Sequence, residues 1–173
     1  MLFRSLLNRA GVKLISSKYA NSNVDLPSMP PETAMIFDNK EIYAVIDLGG
    51  DDRGAYALGR YSAGINKDDS QMLFVVNKYR PLTKNAQSAL QVMKEIELAA
   101  KVSFTGIVNN SNLGKSTTAQ DVLNSIEYAE EISKESGLPV VMTSVIKAVG
   151  NRLSSEIDNL FLLDIIGKEI WKI

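Results

Sequence analysis

Short apolar runs alternate with amphipathic stretches along this chain, and that alternation constrains its fold more than any other feature. Ile42–Asp47 (IYAVID), Met72–Asn77 (MLFVVN), Phe104–Asn109 (FTGIVN) and Pro139–Met142 (PVVM) are almost wholly apolar. Such runs suit strands buried on both faces of a parallel sheet. Between the second and third, Leu82, Ala86, Ala89, Leu90, Met93, Ile96 and Ala100 recur at helical spacing and form one apolar stripe. A further helix is predicted over 119–136, with Thr118 as N-cap, Asp121 favouring its start and Gly137 with Pro139 ending it. Val122, Ile126, Ala129 and Ile132 would form its inner face. NSNVDLPSMPP, residues 21–31, reads as an extended connector. The tail beyond Gly150 fits a strand or a short helix. The expected fold is α/β, a mainly parallel sheet flanked by helices, in a single domain over 1–173.

Composition narrows the chemistry. The 173 residues include no histidine and no cysteine. That excludes Ser-His-Asp and Cys-His nucleophiles, His- or Cys-liganded zinc or iron, and disulfides. What remains is carboxylates, hydroxyls, amides and a hard cation such as Mg²⁺. A net charge of -1 gives no electrostatic reason to expect nucleic acid or an anionic membrane as partner. No apolar run approaches the roughly 18 residues of a membrane span, and a cytoplasmic location is expected. The first 24 residues hold four bases and no acid. They are compatible with a transit peptide, or with a short helix from Phe3 to Arg9 stopped by Gly11 and followed by a strand over Val12–Ser16.

Ligands of parallel sheets gather at the carboxyl ends of strands, and all four ends here are polar. Ile46-Asp47-Leu48-Gly49-Gly50 places a carboxylate at a strand end ahead of a glycine turn. That is how many nucleotide hydrolases present Mg²⁺ and approach a terminal phosphate, although Asp and Gly also simply turn a chain. Asp51 and Asp52 add negative charge. Asn109 and Asn110 offer a donor and an acceptor suited to the edge of a base, or an Asn-rich turn. Thr143 and Ser144 end the fourth run. Lys78 and Arg80 suit phosphate or a solvated connection. Leu113-Gly114-Lys115-Ser116-Thr117 imitates the end of a phosphate loop, but G-x-x-x-x-G-K-[ST] needs a glycine where Asn109 stands. It reads better as a solvated loop and helix cap.

In combination, FRS near the start, YANSNVDLP, IDLGGDDRGAYALGRYS, FVVNKYRPLT, FTGIVNNSNLG and GLPVVMTSV resemble the MinD/ParA-like P-loop ATPases. They resemble most a bacterial branch related to the nitrogenase iron protein. The resemblance runs from Phe3 to about Val149 and rests on the order of the segments. It implies a P-loop-like three-layer fold, ATP and Mg²⁺ as ligands, and an ATP-dependent dimer. By position, it implies that Asp47 is the Mg²⁺-organising acid and Gly50 the phosphate-sensing glycine of the following switch. Asn110, with Asn109 beside it, would meet adenine, and the Thr143–Ile146 turn, with Ser144, would flank the base.

The family's first strand, P-loop and first switch aspartate have no counterpart in this sequence, which therefore resembles the C-terminal two-thirds of such an ATPase. Phosphate affinity in this class comes mostly from loop amides, a helix N-terminus and a lysine. The expected consequence is weak nucleotide binding and no hydrolysis by this chain alone. An absent central strand would also leave sheet edges open. The alternative expectation is thus a non-enzymatic interaction module, pairing an open edge with a second copy or a partner chain. An unrelated small-molecule enzyme would have only carboxylates, lysines and tyrosines to work with.

Overall fold

The computed structural model describes residues 7–16, 29–39, 41–49, 52–66 and 70–164. Its contacts divide the chain into two units, Met1–Asp69 with Ala99–Lys101 and Ile166–Ile173, and Ser70–Leu98 with Val102–Ile165.

In the first unit, residues 7–9 are helical and Gly11, at φ +73°, turns the chain out of that helix. Val12–Ser16 does not form the expected strand; Val12 is exposed and no ladder partner engages it among the described residues. Pro31–Ala34 makes a 3₁₀ turn that runs into α1 (Met35–Asp38). α2 (Asp52–Gly59) and α3 (Ser62–Ile65) follow. Ala55, Ala57 and Leu58 are buried, and the Phe37 ring stacks on Tyr61 with centroids 5.4 Å apart. Gly59 is required by packing, since a Cβ there would stand 2.8 Å from the Ala99 carbonyl oxygen.

Ile42–Asp47 corrects the sequence reading. No strand forms there: the run has no ladder partner among the described residues, and Tyr43 and Val45 are almost wholly exposed. Apolar composition alone does not make a strand; its amides and carbonyls need a neighbouring strand, and none among the described residues supplies one.

The second unit holds the sheet. β1 (Leu73–Val76), β2 (Gly106–Asn109), β3 (Val140–Ile146) and β4 (Leu160–Leu163) pair in that order, every pair parallel. The fold is therefore α/β, an all-parallel sheet flanked by helices, consistent with a three-layer P-loop-like arrangement. The register places Phe74 beside Ile107, Val76 beside Asn109, and Asn109 beside Thr143. Partners in a parallel ladder share a face, so these residues point one way. α4 (Ala86–Ala100) covers that face with Ala86, Ala89, Leu90 and Met93, and α6 (Ile126–Ser136) with Tyr128 and Ile132. Val122 of α5 (Ala119–Leu123) packs with Val145, Leu153 and Ile157, beside α7 (Lys147–Gly150). On the opposite face Val75, Phe161 and Leu163 remain substantially exposed.

The predicted apolar stripe holds except at its first member. Leu82 lies in the 3₁₀ turn Pro81–Thr83 and is exposed; Pro81 fits the start of such a turn but its ring cannot continue a ladder. The long helix predicted over 119–136 is two helices, interrupted at Asn124 and Ser125. The Ser125 hydroxyl donates to the Val122 carbonyl at 2.7 Å, a local bond that competes with helix propagation. Gly137, at φ +76°, caps α6 in the left-handed conformation.

Candidate functional site

The strand ends of the second unit form one polar layer, and its amides divide into two roles. Asn109 is fully buried. Its Nδ2 donates to Ser125 Oγ at 2.9 Å and to the Ser125 carbonyl at 3.4 Å, while its Oδ1 accepts from the Ser111 amide at 3.2 Å. The side chain therefore ties the end of β2 to the start of α6. In this structure it is a structural tie, and the fully buried side chain exposes no edge.

Asn110 behaves differently. Its backbone amide is fixed by the Val76 carbonyl at 2.9 Å. Its Oδ1 accepts from the Ser144 hydroxyl at 2.8 Å, joining the ends of β2 and β3. No described residue accepts a hydrogen bond from its Nδ2, and the residue is only partly buried. The carbonyl oxygen keeps a second lone pair. Asn110 thus presents a donor and an acceptor side by side, oriented by Ser144.

Around this pair the loops are braced by further amides. Asn77 accepts at Oδ1 from the amides of Tyr79 and Asn112, and donates Nδ2 to the Asn112 carbonyl. Asn112 donates to the Asn110 carbonyl at 2.8 Å. Lys78 Nζ donates to the Asn124 carbonyl at the end of α5 at 2.7 Å, which directs the ammonium toward α5. Thr143 lies on the helix-facing side of the sheet, away from the Asn110–Ser144 contact, because it alternates with Ser144 along β3. The candidates of the second unit therefore resolve into one accessible pair, one buried tie and one helix-facing hydroxyl. Sequence reasoning had no signal for the bracing role of Asn77 beyond its place at a strand end.

Leu113–Thr117 is a self-satisfied turn. The Leu113 amide donates to Thr117 Oγ1, the Gly114 amide to Asn112 Oδ1 and the Thr117 amide to the Gly114 carbonyl. Thr118 and Asp121 then form a capping box: the Asp121 amide donates to Thr118 Oγ1, and the Thr118 amide to Asp121 Oδ2 at 2.8 Å. The Thr118 hydroxyl, donating to Asp121 Oδ2 at 2.7 Å, and then the Thr118 amide hold the Asp121 carboxyl below its ordinary range. Amides already paired, with a carboxylate at the helix start, make no phosphate cradle.

In the first unit, Asp47 is exposed and makes no hydrogen bond or ion pair with a described residue. Gly50 and Asp51 lie outside the described residues. Among the described residues no group of three or more Asp or Glu converges as metal ligands. An exposed carboxylate with no partner among the described residues is not held by them for Mg²⁺, which demands near-ideal octahedral geometry. The described residues thus do not fit the metal site that the resemblance implies for Asp47.

Among the described residues no helix is long and apolar enough to cross a membrane. The parallel α/β architecture fits a generic nucleotide-binding-like domain. In comparisons with known proteins, no family model, no curated protein and no solved structure matches the chain.

Proposed function

We propose that the second unit recognises the adenine base of a nucleotide at the ends of β2 and β3, as the base-binding portion of an ATP-dependent switch. The observation that carries this reading is the Ser144–Asn110 hydrogen bond, which fixes an amide whose Nδ2 donates to no described residue and whose oxygen keeps a second lone pair. An asparagine amide pairs with adenine by donating to N7 and accepting from the N6 amine. In a parallel sheet the carboxyl ends of strands are where such ligands sit. ATP is the proposed ligand, and a cytoplasmic location belongs to the same reading. Phosphate is expected to contribute little here, because the Leu113–Thr117 turn is closed by its own hydrogen bonds and lacks the first glycine of a phosphate loop. Mg²⁺ would be bound with the phosphates by groups other than those described. Hydrolysis is not expected of this chain alone.

The test is calorimetric titration with adenosine and with MgATP. The reading expects both to bind with similar, weak affinity, and Asn110→Ala to weaken each by about 5- to 160-fold, the equivalent of about 1–3 kcal/mol for a bidentate amide–base pair. Tight binding of MgATP that adenosine does not share would refute it.

A second reading has its own support. Among the described residues β1 pairs on one side only, and Ile42–Val45 is an exposed segment without a ladder partner. An open edge and an unpaired strand-forming segment in one chain favour strand addition between two copies. Light scattering would show a dimer that Val45→Pro dissolves. A monomer at micromolar concentration would refute this reading.

A further inference from the structure

We infer that the second unit carries a binding site for a small alkyl cation, separate from the strand-end amides. A cavity of about 290 Å³ opens between α6 and the connection from β3 to β4. Ile126 and Ile157 are among its apolar walls, and Thr143 lines it from β3. Thr143 is 2% exposed. Its hydroxyl makes no hydrogen bond to a described residue and is not sealed from solvent, and the residue lines the cavity. Such a hydroxyl can accept from a donor placed in the cavity.

The rim fixes the sign of the ligand. Glu130, Glu156 and Asp158 all line the cavity, none of them forms an ion pair, and no lysine or arginine lies among the lining residues. Asn159 donates Nδ2 to the Val140 carbonyl at 2.7 Å and accepts the Thr143 amide on its own carbonyl at 2.9 Å. These bonds hold the connection against the start of β3 and leave Asn159 Oδ1 as a further acceptor. Three carboxylates repel phosphate, so the site is not a nucleotide pocket. The cavity lies at the small end of ligand sites, matched to a short aliphatic stem ending in an ammonium group. The stem lies against the two isoleucines, and the ammonium donates to Thr143, which accepts, and to the rim carboxylates. Exposed ion pairs alone are weak, so selectivity rests on the apolar walls and the hydroxyl together with the charge.

Calorimetric titration of the full chain with 1,4-diaminobutane tests this, with 1-butanol and butanoate as neutral and anionic counterparts. A Lys-Ala-Lys tripeptide distinguishes a protein-borne ammonium from a free amine. The expected result is saturable binding of the diamine or the tripeptide, weakened about tenfold or more by Glu156→Gln with Asp158→Asn, both exposed positions, and weakened by raised salt. Thr143→Val, which keeps the side-chain shape, weakens binding while circular dichroism stays unchanged. Saturable binding of the tripeptide alone supports the same site and assigns its ligand to a partner protein. Binding of butanoate as strong as that of the diamine, affinity unchanged in the double variant, or no saturable binding of either cation at millimolar concentration overturns the inference.

Discussion

Replacing Asn109 by alanine tests whether the buried amide, and not packing alone, holds the end of β2 to α6. The side chain is fully buried and makes three hydrogen bonds, two to Ser125 and one from the Ser111 amide. Ser111 and Ser125 are themselves buried, so water cannot replace the amide without opening the sheet end. Leaving the Ser111 N–H without a partner costs about 1–3 kcal/mol, and losing the Ser125 bonds costs about 1 kcal/mol more. The expected loss is about 2–4 kcal/mol. With a urea m-value of about 2 kcal/mol per molar, the midpoint followed by far-ultraviolet circular dichroism falls by about 1–2 M. A double-mutant cycle with Ser125→Ala isolates the contact, with an expected coupling of about 0.5–1.5 kcal/mol. A midpoint shift equivalent to less than about 0.5 kcal/mol, the range of an ordinary surface change, would refute the reasoning.

Other consequences follow from the same packing. Thr118→Ala removes the N-cap of α5 and costs about 1 kcal/mol in urea unfolding; it also lets the Asp121 carboxyl rise toward its ordinary value, readable by NMR titration. Because that carboxyl is depressed in the folded protein, its stabilising contribution is present above the unfolded value of 3.8 and fades as pH falls through the folded one. Burial pushes the Tyr128 hydroxyl, which donates to the Thr83 carbonyl at 2.7 Å, up to about 12. Its contribution is therefore complete below pH 10 and lost as pH rises through about 12, and Tyr128→Phe should remove the last phenolate step from an ultraviolet titration. Gly150→Ala would press a Cβ against Leu162 Cδ2 and to 2.5 Å from Val145 Cγ1, with an expected cost of about 1–3 kcal/mol by chemical denaturation.

Features carried by local chemistry were legible in the sequence. The Thr118 cap, the Gly137 stop, the stripe from Ala86 to Ala100 and the parallel strands at Leu73–Val76 and Gly106–Asn109 each follow from residues within a few positions of one another. What escaped depends on a neighbour elsewhere in the chain. Ile42–Asp47 has strand composition but no strand to pair with. The helix break at Ser125 belongs with an amide sixteen residues earlier. Asn109 and Asn110 are indistinguishable as letters, and strand alternation sends one into the core and the other to the Ser144 contact. Thr143, grouped with Ser144 by adjacency, faces the helices for the same reason.

The central claim is that Asn110, held by Ser144, reads an adenine edge with little help from phosphate. The most direct measurement is an NMR titration of the full chain with adenosine, following the Asn110 side-chain amide resonances. The account predicts that these shift in a saturable way, that MgATP moves them with a similar midpoint, and that Ser144→Ala, which frees the amide to rotate, weakens both. Resonances that stay in place, or that respond to MgATP and not to adenosine, would contradict it.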